Sequence, residues 1–153
     1  MRKQMLKGFT MFMLVMALAL ATAAISANAQ SLKARANVPF DFVVGDKTLT
    51  SGDYTIATIT MAGDTLRIAS RDMSQTAARL TITASGTSSQ AKLVFHRYGQ
   101  QYFLAEVWTG GGDTGRLIVK SRKERAIEKE SNRVAQLSGR TPESYETVAI
   151  ALN

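Results

Sequence analysis

Residues 93–116 read LVFHRYGQQYFLAEVWTGGGDTGR, and their pattern decides the fold class. Two strand-like runs, Ala91–Tyr98 and Gln101–Trp108, flank Gly99-Gln100. Such runs put successive side chains on opposite faces, and a short Gly-containing link between them is hairpin chemistry. The stretch predicts an antiparallel hairpin, closed by a Gly-rich loop over Thr109–Gly115. It also holds the chain's only His and only Trp.

The length of the turn sets the register. A two-residue turn pairs Leu93 with Glu106 and Phe95 with Leu104. A three-residue loop instead pairs Val94 with Glu106 and brings His96 and Lys92 onto the same face. Turn chemistry favours the first. Alternation puts Tyr102, Leu104, Glu106 and Trp108 on one face and the apolar Phe103, Ala105 and Val107 on the other, toward the core. In the favoured register Glu106 stands among apolar groups and calls for a cation, with Arg116 as the candidate. Tyr102, Glu106, Trp108 and Arg116 are therefore the candidate binding residues, on a wet outer face or a pocket wall.

Working outward, the period stays near two. Val38, Phe40, Phe42 and Val44 form the buried face of a first strand, and Pro39, which lacks an N–H, marks it as an edge. Gly45-Asp46-Lys47 and Thr50–Asp53 are turns. A Gly63-Asp64 turn would pair Met61 with Leu66 and Ile59 with Ile68. Ala78, Leu80, Ile82 and Ala84 alternate with Arg79, Thr81 and Thr83. Beyond the strand end at Leu117-Ile118-Val119, Ser121-Arg122-Lys123-Glu124 is a capping box. It opens a helix over about 121–137 with Gly139 as its stop, lying on the domain through Ala126, Ile127, Val134 and Leu137. Pro142 breaks the chain, and Tyr145–Leu152 is a closing strand. These elements predict a mainly β domain of six or seven antiparallel strands, a small barrel or a sandwich, with one late helix.

The first 29 residues read as a signal peptide. Arg2, Lys3 and Lys7 precede an apolar run from Phe9 to Ala24, and Ala27-Asn28-Ala29 is a small-residue cleavage site. A spanning helix is the weaker reading, because Thr10 and Thr22 interrupt the run, and without Cys no lipoprotein can form. The expected mature chain is residues 30–153, a single domain with no transmembrane anchor, periplasmic or secreted. The chain has no Cys at all, which removes disulfides, thiol catalysis and Cys-based metal sites. The formal net charge of +7 is local in origin: residues 116–140 carry eight Lys or Arg against three acids.

Taken together, Asn37–Gly45 (NVPFDFVVG), Gly52–Thr55 (GDYT), residues 93–116 and Ser121–Arg125 (SRKER) resemble a family of small, uncharacterised exported bacterial proteins. The resemblance covers nearly all of the mature chain and implies export and a single domain; it brings no activity. Thr50-Ser51 departs from the Pro-Ala expected there, which loosens one turn.

Catalytic motifs are weak. Asp113-Thr114-Gly115 spells an aspartic-protease signature, but three glycines stand where an apolar strand should deliver the Asp, and there is no second copy. Gly110-Gly111-Gly112 lacks the Gly-Lys-Ser/Thr of a phosphate loop. A lone His96 without Cys cannot build a usual zinc site, and no Gly-x-Ser-x-Gly presents a nucleophile. No metal or cofactor is expected. Arg125, Lys129 and Arg133, stacked at i, i+4 and i+8 and joined by Arg122 and Lys123, could face an anionic surface, although Glu124, Glu128 and Glu130 interrupt the patch. The sequence thus points to a non-catalytic envelope interaction module, whose partner is an anionic envelope component or another envelope protein. Nucleic acid is not expected. The alternative is a small-ligand carrier with a barrel cavity; a hydrolase built on His96, Glu106 and Asp113 is the weakest reading.

Overall fold

The computed structural model describes residues 33–60, 63–110, 112–139 and 145–153, the side chains of 87, 112 and 113 excepted. The leader expected over 1–29, Met61 and Pro142 lie outside them. Residues 32–153 form one compact unit. Among the described residues there are ten strands and one helix. They are β1 (Lys33–Val38), β2 (Phe42–Val44), β3 (Lys47–Leu49), β4 (Gly52–Thr58) and β5 (Thr65–Ser70), then β6 (Thr76–Ser88), β7 (Ala91–Tyr98), β8 (Gln101–Thr109) and β9 (Gly112–Ile118). The helix α1 (Arg122–Leu137) and β10 (Glu146–Ala151) complete the order.

The strands join in one sheet in the order β1-β4-β5-β6-β9-β8-β2-β3, with β7 on the other edge of β8 and β10 beyond it. The thirteen-residue β6 makes this arrangement possible. Thr76–Leu80 pairs with β5, and Thr81–Ser88 pairs with β9. β6 thus joins the two halves of the sheet, and residues of both halves share one core. Val38, Ile56 and Ile68 come from one half; Phe42, Phe95, Leu104 and Val107 come from the other. Among the described residues, the backbone hydrogen bonds that tie β1 to the chain just past β10 are those that Arg35 and Asn153 exchange, at 3.1 and 2.8 Å. One reciprocal pair is not a ladder, so the sheet stays open and is not closed into a barrel.

Four expectations need correction. The strand count is ten, not six or seven, and the sheet is not wholly antiparallel, because β2 runs parallel to β8 with Phe42 opposite Tyr102. The expected first strand breaks at Pro39, which separates β1 from β2. The loop after β4 is also wider than a two-residue turn. Asp64 accepts from Thr60 Oγ1 at 2.6 Å and from Thr65 Oγ1 at 3.2 Å, closing the loop through side chains. Ile56 rather than Ile59 then pairs with Ile68. That shift of three residues turns Tyr54 and Ile56 inward and leaves Ile59 exposed.

In β6 the polar residues take the inner face. Leu80 and Ile82 are 69% and 56% exposed, while Thr81 is buried. The neighbouring strands fix this register, with Ile68 opposite Ala77 and Ile118 opposite Thr81, all four buried. Thr81 is satisfied there by donating to the Asp64 carbonyl at 2.8 Å; Arg79 reaches Asp46 through Nη2 at 3.2 Å, while its buried Nε has no partner. A hydrogen-bonded polar group can be buried at little net cost.

Candidate functional site

The central hairpin forms with the two-residue turn, Tyr98 opposite Gln101 and Gly99 at φ +61. From the turn outward Phe95 pairs with Leu104, as the favoured register requires. The next pair is Val94 with Glu106, so Ala105 has no partner and is a β-bulge. One inserted residue switches the faces of everything after it. Leu104 and Val107 therefore both enter the main core, whereas strict alternation had separated them. Beyond the bulge the second register holds, and Lys92 lies opposite Trp108.

The bulge also splits the candidate binding residues. Glu106 and Trp108 share the outer face, where the indole Nε1 donates to Glu106 Oε2 at 2.6 Å. The Trp108 ring lies against Gly115 and Gly86; a Cβ on Gly115 would come within 2.7 Å of it. The Gly-rich loop is thus mostly strand, with β9 beginning at Gly112 and Gly115 paired to Trp108. Tyr102 lies on the inner face, stacked on Phe40 with ring centroids 3.8 Å apart. Arg116 pairs with Val107, not Glu106, and donates to Thr83 Oγ1 at 3.2 Å. Its guanidinium adds a small push to Asp64, whose carboxyl is held below the usual range chiefly by the Thr60 and Thr65 hydroxyls. The expected Glu106–Arg116 pair is not formed; the indole N–H is the partner of Glu106.

A second cluster lies under α1, and sequence reasoning missed it. Ser121 caps the helix as expected, its Oγ accepting from the Glu124 N–H at 3.1 Å. The Glu124 side chain turns into the molecule, 5% exposed, and meets His96 Nδ1 at 2.9 Å. The Tyr98 hydroxyl approaches the same oxygen at 3.5 Å. Burial, and then the charges of Glu124 and Glu128, push the Tyr98 phenol well above its ordinary value. Tyr145 stacks on His96 at 3.8 Å, and Lys120 Nζ lies 4.8 Å from the Tyr145 ring centre. Lys120 also holds Glu128 at 2.6 Å. The strands contribute His96 and Tyr98 because these share the outer face of β7, next to Phe103 and Val43.

Of the four residues expected to dock the helix, one does so. Ile127 packs on Val43, Tyr98 and Phe103. Ala126, Val134 and Leu137 are exposed. The inward face is Glu124, Ile127, Glu128, Ser131, Asn132 and Ala135, at i, i+3, i+4, i+7, i+8 and i+11. It was illegible as an apolar stripe because two of its six positions are carboxylates and two more are polar. The helix start carried the one available signal, an acid at the capping-box position, and nothing in sequence tells that this acid would face a histidine.

The opposite face is basic. Arg122, Lys123, Arg125, Lys129 and Arg133 are exposed, and the only acid exposed with them is Glu130, 3.9 Å from Arg133. Among the described residues no group of three or more His, Asp or Glu could hold a metal ion, and no helix is long and apolar enough to cross a membrane. Comparison of the chain with protein-family models, with curated proteins and with solved structures finds no match.

Proposed function

We propose that this is an exported, non-catalytic interaction module of the bacterial envelope, and that α1 is its contact with an anionic envelope component. One observation carries the reading: the helix sorts its charges. Two of the three acids that interrupt the basic run point inward, Glu124 onto His96 and Glu128 onto Lys120, so the outward face keeps five cations and one acid. Cations near an anionic surface contribute about 1 kcal/mol each. Export rests on the leader pattern of residues 1–29 and on the family resemblance. The carrier alternative required a closed barrel with a cavity, and the sheet is open around a core of fully buried side chains. Against the hydrolase reading, His96 is held by Glu124 and Glu106 by Trp108; the Asp113 side chain lies outside the described residues.

Replacing Arg125, Lys129 and Arg133 together by Gln tests the assignment by co-sedimentation with the native envelope fraction. Three lost cations should weaken binding by roughly a hundredfold at low salt, and the wild-type interaction should fade as salt rises. Binding indifferent to both would remove α1 from the account. A second contact, to another envelope protein, is favoured by the exposed Leu80 and Ile82 on β6 and Val119 directly after β9. These two strands also carry the glycines under Trp108. That reading requires Trp108→Ala to weaken capture of the partner while the fold survives.

A further inference from the structure

We infer that the anionic surface met by α1 is a phospholipid bilayer, contacted at headgroup depth with Leu137 and Val134 dipping below the charges; this rests on the contact assigned to α1 above. The spacing carries it. Arg125, Lys129 and Arg133 recur every four residues, and the next position in that series is Leu137, so the cationic stripe ends in an apolar side chain on the same face. Leu137 is 79% exposed and Val134, one turn back on the neighbouring row, is 53% exposed. Neither packs on the domain, because α1 docks through its Glu124–Ile127–Glu128 side.

A soluble acidic polysaccharide would use the cations and leave Leu137 in water. A bilayer uses both, since the charges meet the headgroups while the apolar tip leaves water at the acyl boundary. The helix ends directly beyond this tip, with Ser138 as its cap and Gly139 at φ +66. No aromatic residue lies on α1, so the contact is shallow and reversible rather than a deep insertion.

The test uses the full chain, vesicles of phosphatidylcholine with and without phosphatidylglycerol, and dextran sulfate as a soluble polyanion. Neutral vesicles give the baseline common to all variants. The expected result is binding above that baseline only with phosphatidylglycerol. The Val134→Ser, Leu137→Ser double variant should weaken it by about tenfold, while affinity for dextran sulfate and the melting temperature stay unchanged. If the double variant binds phosphatidylglycerol vesicles as well as the parent does, the bilayer inference fails. It fails equally if dextran sulfate displaces the chain with wild-type affinity and serine at these positions changes nothing. In both cases the Arg125, Lys129, Arg133→Gln variant still reports separately on the helix contact. If the chain binds neither probe above baseline, both readings fall.

Discussion

At Trp108 the deciding neighbour is a residue without a side chain. The indole is held by Glu106 and rests against Gly115, which is buried in β9. Gly115→Ala should therefore cost about 1–3 kcal/mol, because the ring has to move off the strand. The check is a urea titration read by the emission of this Trp, the chain's only one, which should also shift to longer wavelength as the ring leaves its bed. Sequence could not assign that glycine, since its purpose depends on a cross-strand partner set by the bulge. His96 makes a different case. His96→Ala leaves the Glu124 carboxyl buried without its nearest hydrogen-bond partner, which costs about 1–3 kcal/mol. Tyr98 adds a pH dependence. Its phenol ionises at higher pH in the folded chain than in the unfolded one, so above about pH 10 unfolding releases a proton and stability falls as pH rises. Tyr98→Phe should flatten that alkaline slope without abolishing it, because burial raises Tyr54 in the same direction. An unchanged slope in denaturation midpoints across this range would contradict the placement of Tyr98 beneath the helix.

Among the elements, the hairpin and the helix show how far periodicity reaches. Both runs of the hairpin, its turn and its first pairs were legible, because local turn chemistry sets them. The Ala105 bulge was not, and it moved Tyr102 away from Glu106 and Trp108. No local signal marks a bulge in a run of good strand formers; the packing of Val107 into the core selects it. The bounds and cap of α1 were legible from Ser121 and Gly139. Its buried face was legible only at Ile127, because the domain receives the rest of it through hydrogen bonds. Ile127→Ala should destabilise by about 2 kcal/mol or more, whereas the Val134→Ser, Leu137→Ser pair should stay within about 0.5 kcal/mol of wild type. Chemical denaturation of the two variants side by side decides it. The reverse order would mean that the helix docks through Val134 and Leu137 rather than through Ile127.

Over the whole molecule, the mainly β class and the late helix follow from local patterns, but the connectivity of the sheet does not. The parallel contact of β2 with β8 joins residues about sixty positions apart, and the joining of the two halves through β6 depends on which neighbour each half of that strand finds. Charge placement is likewise a property of the folded chain. The sequence mixes acids and bases along residues 116–140, and folding puts Glu124 and Glu128 against the domain while the five cations of α1 face out. The claim that this sorted face is the contact surface can be measured directly, since a chain without Cys accepts a single unambiguous label. An environment-sensitive fluorophore attached through Gln136→Cys on α1 should change its emission when vesicles containing phosphatidylglycerol are added, and one attached through Gln100→Cys at the hairpin turn should not. A response at the hairpin turn with none at the helix would contradict the account.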